Sequence, residues 1–139
     1  MLYAAPQLPS VATRTAQTVM LVDDDPYVRE AGERMLKRLG YQVNAFGCPL
    51  EALEAFRRVP PPCDLVITDL TMPKMSGDEL TRRMHSIAPS IPVVICSGYR
   101  PEDAGDSAIF DYCVTMSKPF TLMELQATVE AALQWIASV

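Results

Sequence analysis

"VMLVDDDP", residues 19–26, sets four apolar side chains directly ahead of three carboxylates and a proline. The apolar part is a continuous run rather than an alternating one, which is the pattern of a strand covered on both faces. Pro26 suits the first turn of a helix, where its missing N–H costs little. The three acids therefore stand where a buried strand ends and a helix begins, and like charges this close need a reason to be there.

Outward from this stretch the same alternation repeats. A helix from Pro26 to about Leu39 carries Val28, Ala31, Met35, Leu36 and Leu39 at helical spacing, and "YQVNAF" (41–46) follows as a second strand. Next come a helix from Pro49 to Val59, a proline-rich turn at 60–62 and the strand "DLVIT" (64–68). A third helix, Gly77 to Ile87, leads to the strand "IPVVIC" (91–96). Residues 101–110 form a weaker helix, with Pro101 at its start but Gly105 and Asp106 inside. The strand "YCVTM" (112–116) precedes a last helix, Leu122 to Ala137, with Leu122, Leu125, Val129, Ala132, Leu133 and Ile136 on one face. Strands alternating with helices of this length predict an α/β fold, a parallel sheet with helices on both faces joined by right-handed crossovers. Residues 1–17, with two prolines and no acid, read as a tail or interdomain linker ahead of a single domain over 18–139.

Composition excludes several functions. A net charge of −5, with no basic cluster denser than the arginine pairs at 57–58 and 82–83, leaves nothing to neutralise a run of phosphates, so nucleic acid is excluded as a direct partner. No apolar stretch approaches the roughly 18 residues that span a bilayer, and no signal peptide opens the chain; a cytoplasmic protein with no direct membrane insertion is expected. Cys48, Cys63, Cys96 and Cys113 lack C-x-x-C pairing and lie in or beside apolar runs, which makes them small core residues. His85, alone among Arg82 and Arg83, reads as a solvated helix position, and Trp135, Met116 and Met123 as core or partial cover.

In an open parallel sheet, ligands sit at the carboxyl ends of the strands. Asp23, Asp24 and Asp25 follow the first strand, Asp69 the third, Ser97 the fourth and Lys118 the fifth. An acidic helix cap would account for "DDD" alone. With Asp69 arriving from another strand, a hard cation that offsets the converging carboxylates is the better reading, and Mg²⁺, which keeps waters and leaves room for phosphate, is the natural choice. A carboxylate held beside such a metal can attack a phosphoryl group. Lys118 supplies a positive point charge and Ser97 a hydroxyl for phosphate oxygens. "DLVITDLTMPKMSG" (64–77) contains Pro73 and Gly77, which mark a sharply turning loop.

Taken together, "LVDDDP", "DLVITDLTMPKMSG", "ICSG" and "SKPF" resemble the receiver domain of two-component response regulators over about residues 18–137. The resemblance implies a flavodoxin-like, doubly wound five-stranded sheet of order 2-1-3-4-5. It implies Asp69 as phosphoacceptor, Asp24 and Asp69 with the Thr71 backbone carbonyl as direct Mg²⁺ ligands, and Asp23 acting on the metal through water. Ser97 takes the place of the switch hydroxyl, Lys118 that of the phosphate-binding lysine, Pro119 that of a cis proline, and Asp25 is not a ligand. A histidine kinase or histidine phosphotransfer domain would donate the phosphoryl group, and the face built from the 101–110 helix, the fifth strand and the last helix would repack or mediate a homodimer. Such a domain catalyses only its own phosphorylation and dephosphorylation. "SGY" and "DLTMPKMSG" look like receivers at the C-terminus of hybrid sensor histidine kinases, for which residues 1–17 would be linker; a stand-alone regulator is the other reading.

The sequence departs from the family at Thr115, where many receivers carry an aromatic that reports the switch state, and in lacking a small "GA" pair before the fifth strand. Tyr99 and Thr71 stand where the family tunes dephosphorylation. Three other functions compete: a phosphorylation-independent docking module, an aspartate-nucleophile phosphatase, and a flavin or nucleotide binder. The phosphatase needs a second acid where Thr71 stands. The nucleotide binder needs a phosphate-cradling turn where this chain has acids.

Overall fold

The computed structural model describes residues 17–58, 62–98 and 113–137. Five strands, β1 (Thr18–Val22), β2 (Gln42–Phe46), β3 (Leu65–Asp69), β4 (Val93–Ser97) and β5 (Val114–Ser117), form one sheet in the order β2-β1-β3-β4-β5, every neighbouring pair parallel. Four helices fall among the described residues: α1 (Pro26–Arg38), α2 (Pro49–Arg58), α3 (Gly77–Ile87) and α4 (Leu122–Ala137). The expected helix over 101–110, Tyr99, the tail over 1–17 apart from Gln17, and the Trp135 side chain lie outside the described residues.

The continuous apolar runs are explained by two cores, one on each sheet face. Met20, Val22, Val66 and Ile95 pack under Leu53 and Phe56 of α2 and Leu80 and Met84 of α3. The alternate residues, Val19, Leu21, Ile67 and Val94, pack under Leu36 of α1 and Leu125 and Val129 of α4. Side chains on a strand point alternately to opposite faces, so the strands of a sheet buried on both sides stay apolar almost to their ends, with the buried Thr68 of β3 as an exception.

Local signals fix the helix ends. Asp25 caps α1, its carboxylate accepting the backbone N–H of Tyr27 at 2.9 Å and of Val28 at 3.3 Å. Gly40, at φ 100°, ends the helix in the left-handed conformation, and Tyr41 N–H reaches back to the Leu36 carbonyl at 3.0 Å. Thr121 and Glu124 form a reciprocal capping box ahead of α4, with bonds of 2.8 and 3.1 Å.

Several expectations are corrected. β3 and β4 each run one residue further than their apolar runs, so Asp69 and Ser97 are the last residues of their strands, paired with Cys96 and Ser117. The ladder continues there because Leu70 N–H bonds to the Cys96 carbonyl and Lys118 N–H to the Ser97 carbonyl, both at 2.8 Å. In α1 the inward position belongs to Gly32 rather than the exposed Ala31, since the Leu21 side chain would stand 3.2 Å from a Cβ at 32. Met123 is 78% exposed and covers no core, while Met116 is buried. His85 is half-buried, its Nε2 lying 3.0 Å from the Ile91 carbonyl oxygen, and joins the end of α3 to the approach of β4. Cys63, Cys96 and Cys113 are buried as expected and Cys48 is half-buried.

Candidate functional site

All five strands point the same way, so their carboxyl ends share one rim, and the polar residues that end the apolar runs collect there. The three consecutive acids take different roles. Asp23 is buried, only 4% exposed. One of its carboxylate oxygens accepts the Asp25 N–H at 2.9 Å, the other the Lys118 ammonium at 2.9 Å. Asp24 is exposed at the rim. Asp25 is spent on the α1 cap, so the helix-cap reading holds for the third acid and not for the first.

Asp69 ends β3, the strand paired directly with β1, whose exit carries this loop. Lys118 Nζ is 3.1 Å from its Oδ1, so one ammonium bridges Asp23 and Asp69. Asp23, Asp24 and Asp69 each bring a carboxylate oxygen to within 4.8 Å of the others. Burial pushes the Asp69 carboxyl above its ordinary value; the hydrogen bond and charge of Lys118 oppose this, and Asp23 adds to it. For Lys118 burial disfavours the charge, but bonds to Asp23 and Asp69 outweigh it and its pKa rises. The donor set is hard oxygen throughout, with one exposed acid open to solvent, which fits a small divalent cation such as Mg²⁺ and not a thiophilic metal.

Of the other expected site residues, the strand register puts Ser97, only 4% exposed, at the end of β4 beside Ser117, and Thr71 is exposed in the loop that leaves β3. Lys118 and Pro119 are joined by a cis peptide bond. Thr115, on β5, is exposed.

Arg29 was missed in the sequence. From α1 its guanidinium donates to the Asp23 carbonyl at 2.8 Å and lies over Gly47, where a Cβ would come 2.6 Å from Nη1. It thus lies between the acidic loop, to which it bonds, and the loop after β2. Its place one turn into α1 on the strand-end side was the available signal. Beside Lys118 an apolar groove of about 500 Å³ opens between α1 and the segment after β5, lined by Tyr27, Val28, Met35, Pro119 and Phe120. Among the described residues no helix is long and apolar enough to cross a membrane.

Comparison with known proteins agrees with this architecture. The family model of the response regulator receiver domain matches residues 19–130. The chain is 36% identical over 122 residues to the sensor kinase CckA of Brucella abortus, a match covering 84% of this chain and 12% of that protein. It is 34% identical over 120 residues to the response regulator MprA of Mycobacterium leprae, covering 84% of this chain and 50% of that one. It therefore spans half or less of the length of these curated relatives. A solved receiver domain protein of Clostridium thermocellum is 26% identical with a TM-score of 0.78, over 86% of this chain and 95% of the other.

Proposed function

The chain belongs to the response regulator receiver domain family of two-component signalling, and on that premise we propose that Asp69 is a phosphoacceptor that takes a phosphoryl group from a phosphohistidine. The observation that carries this reading is the Lys118 ammonium held between Asp23 and Asp69, with Asp24 alongside. Such a cluster keeps one carboxylate poised at a strand end beside a fixed positive charge.

An oxygen of Asp69 attacks phosphorus, the bond from phosphorus to the donor imidazole nitrogen breaks, and an aspartyl phosphate forms while the imidazole keeps the electron pair and takes a proton. Asp24, Asp69 and the Thr71 carbonyl would hold Mg²⁺ directly and Asp23 through water, and bound there it offsets charge on both the attacker and the phosphoryl oxygens. Lys118 is released from its bridge to a phosphate oxygen, and the Ser97 hydroxyl donates to another. The new bonds shift the population of two arrangements of the rim, which is the output. The domain, residues 18–139 with 1–17 as tail or linker, acts only on itself.

The phosphodonor is a histidine kinase or histidine phosphotransfer domain, and the groove beside Lys118, with Tyr27 83% exposed, is suited to an apolar helix of such a partner. The likeness to CckA supports a place in a hybrid sensor kinase; the likeness to MprA supports a separate regulator. A homodimer through the β5 and α4 face is the second proposed contact.

Incubation with Mg²⁺ and acetyl phosphate, read by intact mass, tests the reading. One added phosphate, labile to hydroxylamine, is expected; it is absent with EDTA and in Asp69→Asn. Unchanged mass with every donor, a cognate kinase included, leaves a docking module, and sustained donor turnover a phosphatase.

A further inference from the structure

The loop from Leu70 to Gly77 leaves β3 and returns to its end. Leu70, Met72 and Met75 are buried beneath it. The sharp reversal comes at Lys74, φ 75°, where Met75 N–H bonds to the Pro73 carbonyl at 2.8 Å. Gly77 does not make the turn, since among the described glycines only Gly40 has positive φ. What position 77 requires is room. A Cβ there would lie 2.1 Å from the Asp69 carbonyl oxygen and 3.0 Å from the Asp69 carbonyl carbon and the Leu70 Cα, all backbone.

Neither side can yield easily. Gly77 begins α3, which is anchored by the fully buried Leu80 and Met84, and its N–H bonds to the Leu70 carbonyl at 2.7 Å. The Asp69 peptide is held by the ladder through Leu70 N–H and by the buried Thr68 hydroxyl, which donates to the Asp69 carbonyl at 3.0 Å.

We propose that Gly77 and Thr68 are positioning residues for Asp69, fixing its peptide between the first turn of α3 and the Thr68 hydroxyl and so the height at which its carboxylate meets Asp23, Asp24 and Lys118. This rests on Asp69 being the phosphoacceptor. A methyl group at 77 must open a gap of about 1 Å, and misplacement on that scale lowers rates on the order of 10²-fold.

The test uses the whole chain with Gly77→Ala, Thr68→Val and Thr68→Ser, and Val129→Ala in the opposite core as a control for general destabilisation. With acetyl phosphate and Mg²⁺, Gly77→Ala should lower the phosphorylation rate at saturating donor 10- to 100-fold, leaving the half-saturating donor concentration within about twofold. Thr68→Val should lower the rate severalfold and Thr68→Ser should restore it. In metal-free protein, the amide resonances of Asp69 and Lys118 should move in Gly77→Ala and Thr68→Val and stay in place in Val129→Ala. If Gly77→Ala does not fold, the Thr68 pair decides. The positioning role is overturned if wild type is phosphorylated and Gly77→Ala, or Thr68→Val, matches it. Wild type that takes no phosphate overturns the phosphoacceptor reading as well.

Discussion

Lys118 Nζ lies 3.1 Å from Asp69 Oδ1 and at the same time 2.9 Å from Asp23 Oδ2, although 95 positions separate Lys118 from Asp23. The lysine places a positive charge between the two carboxylates, one of them buried, and so lets them face each other.

Removing that cation should expose the repulsion. Lys118→Met is expected to destabilise the metal-free chain by about 1–3 kcal/mol, less than the roughly 3–5 kcal/mol of a fully buried pair, because the Lys118 side chain stays 21% exposed. Millimolar Mg²⁺ should raise the midpoint of the variant more than that of wild type. Thermal melts with and without Mg²⁺ check both statements, and equal metal responses would show that Lys118 does not offset the acids.

Asp69→Asn should separate the metal response from folding. Because the folded-state pKa of Asp69 is raised by burial, its stabilising contribution is present below the unfolded value near 3.8 and is lost as pH rises through the folded value. At pH 7 the wild-type carboxylate therefore carries a cost that asparagine lacks, and metal-free Asp69→Asn should melt no lower than wild type. Mg²⁺ at 100 times its Kd should stabilise wild type by about 2.7 kcal/mol and the variant by much less. A lower metal-free midpoint for Asp69→Asn would contradict this.

Asp25→Ala should behave as loss of a helix cap. A cost of about 1 kcal/mol is expected, with phosphorylation by acetyl phosphate and the Mg²⁺ response kept near wild type. Loss of either would make Asp25 part of the site.

The thiols give a pH prediction. Burial pushes Cys63, Cys96 and Cys113 from 9.0 to about 12. At pH 8 an alkylating reagent should modify only Cys48 in the native chain and all four cysteines after unfolding. These raised values add stability that is full below about 9 and lost as pH climbs through about 12, and the raised pKa of Lys118 acts with the same sign above 10.5. Melting points should fall steeply across that window.

Much of the fold was legible because each element carries its own signal. Apolar runs mark strands covered on both faces, Pro26 and Pro49 begin helices, and Leu125, Val129 and Ala132 recur at helical spacing. The strand ends were less legible, since the β3 and β4 ladders outlast their apolar runs by one residue and take in Asp69 and Ser97.

By itself the sequence determined an α/β alternation and the residue types standing where its apolar runs end: acids at the first and third, a hydroxyl at the fourth, a lysine past the fifth. Only the tertiary structure decided what each does. It buried Asp23 against Lys118, left Asp24 open, gave Asp25 to a helix end, and made room at Gly77 for the Asp69 carbonyl. The reason is that hydrophobic periodicity is a local property, whereas the distance between charges far apart in the chain is set by strand register and by helices docked across the sheet.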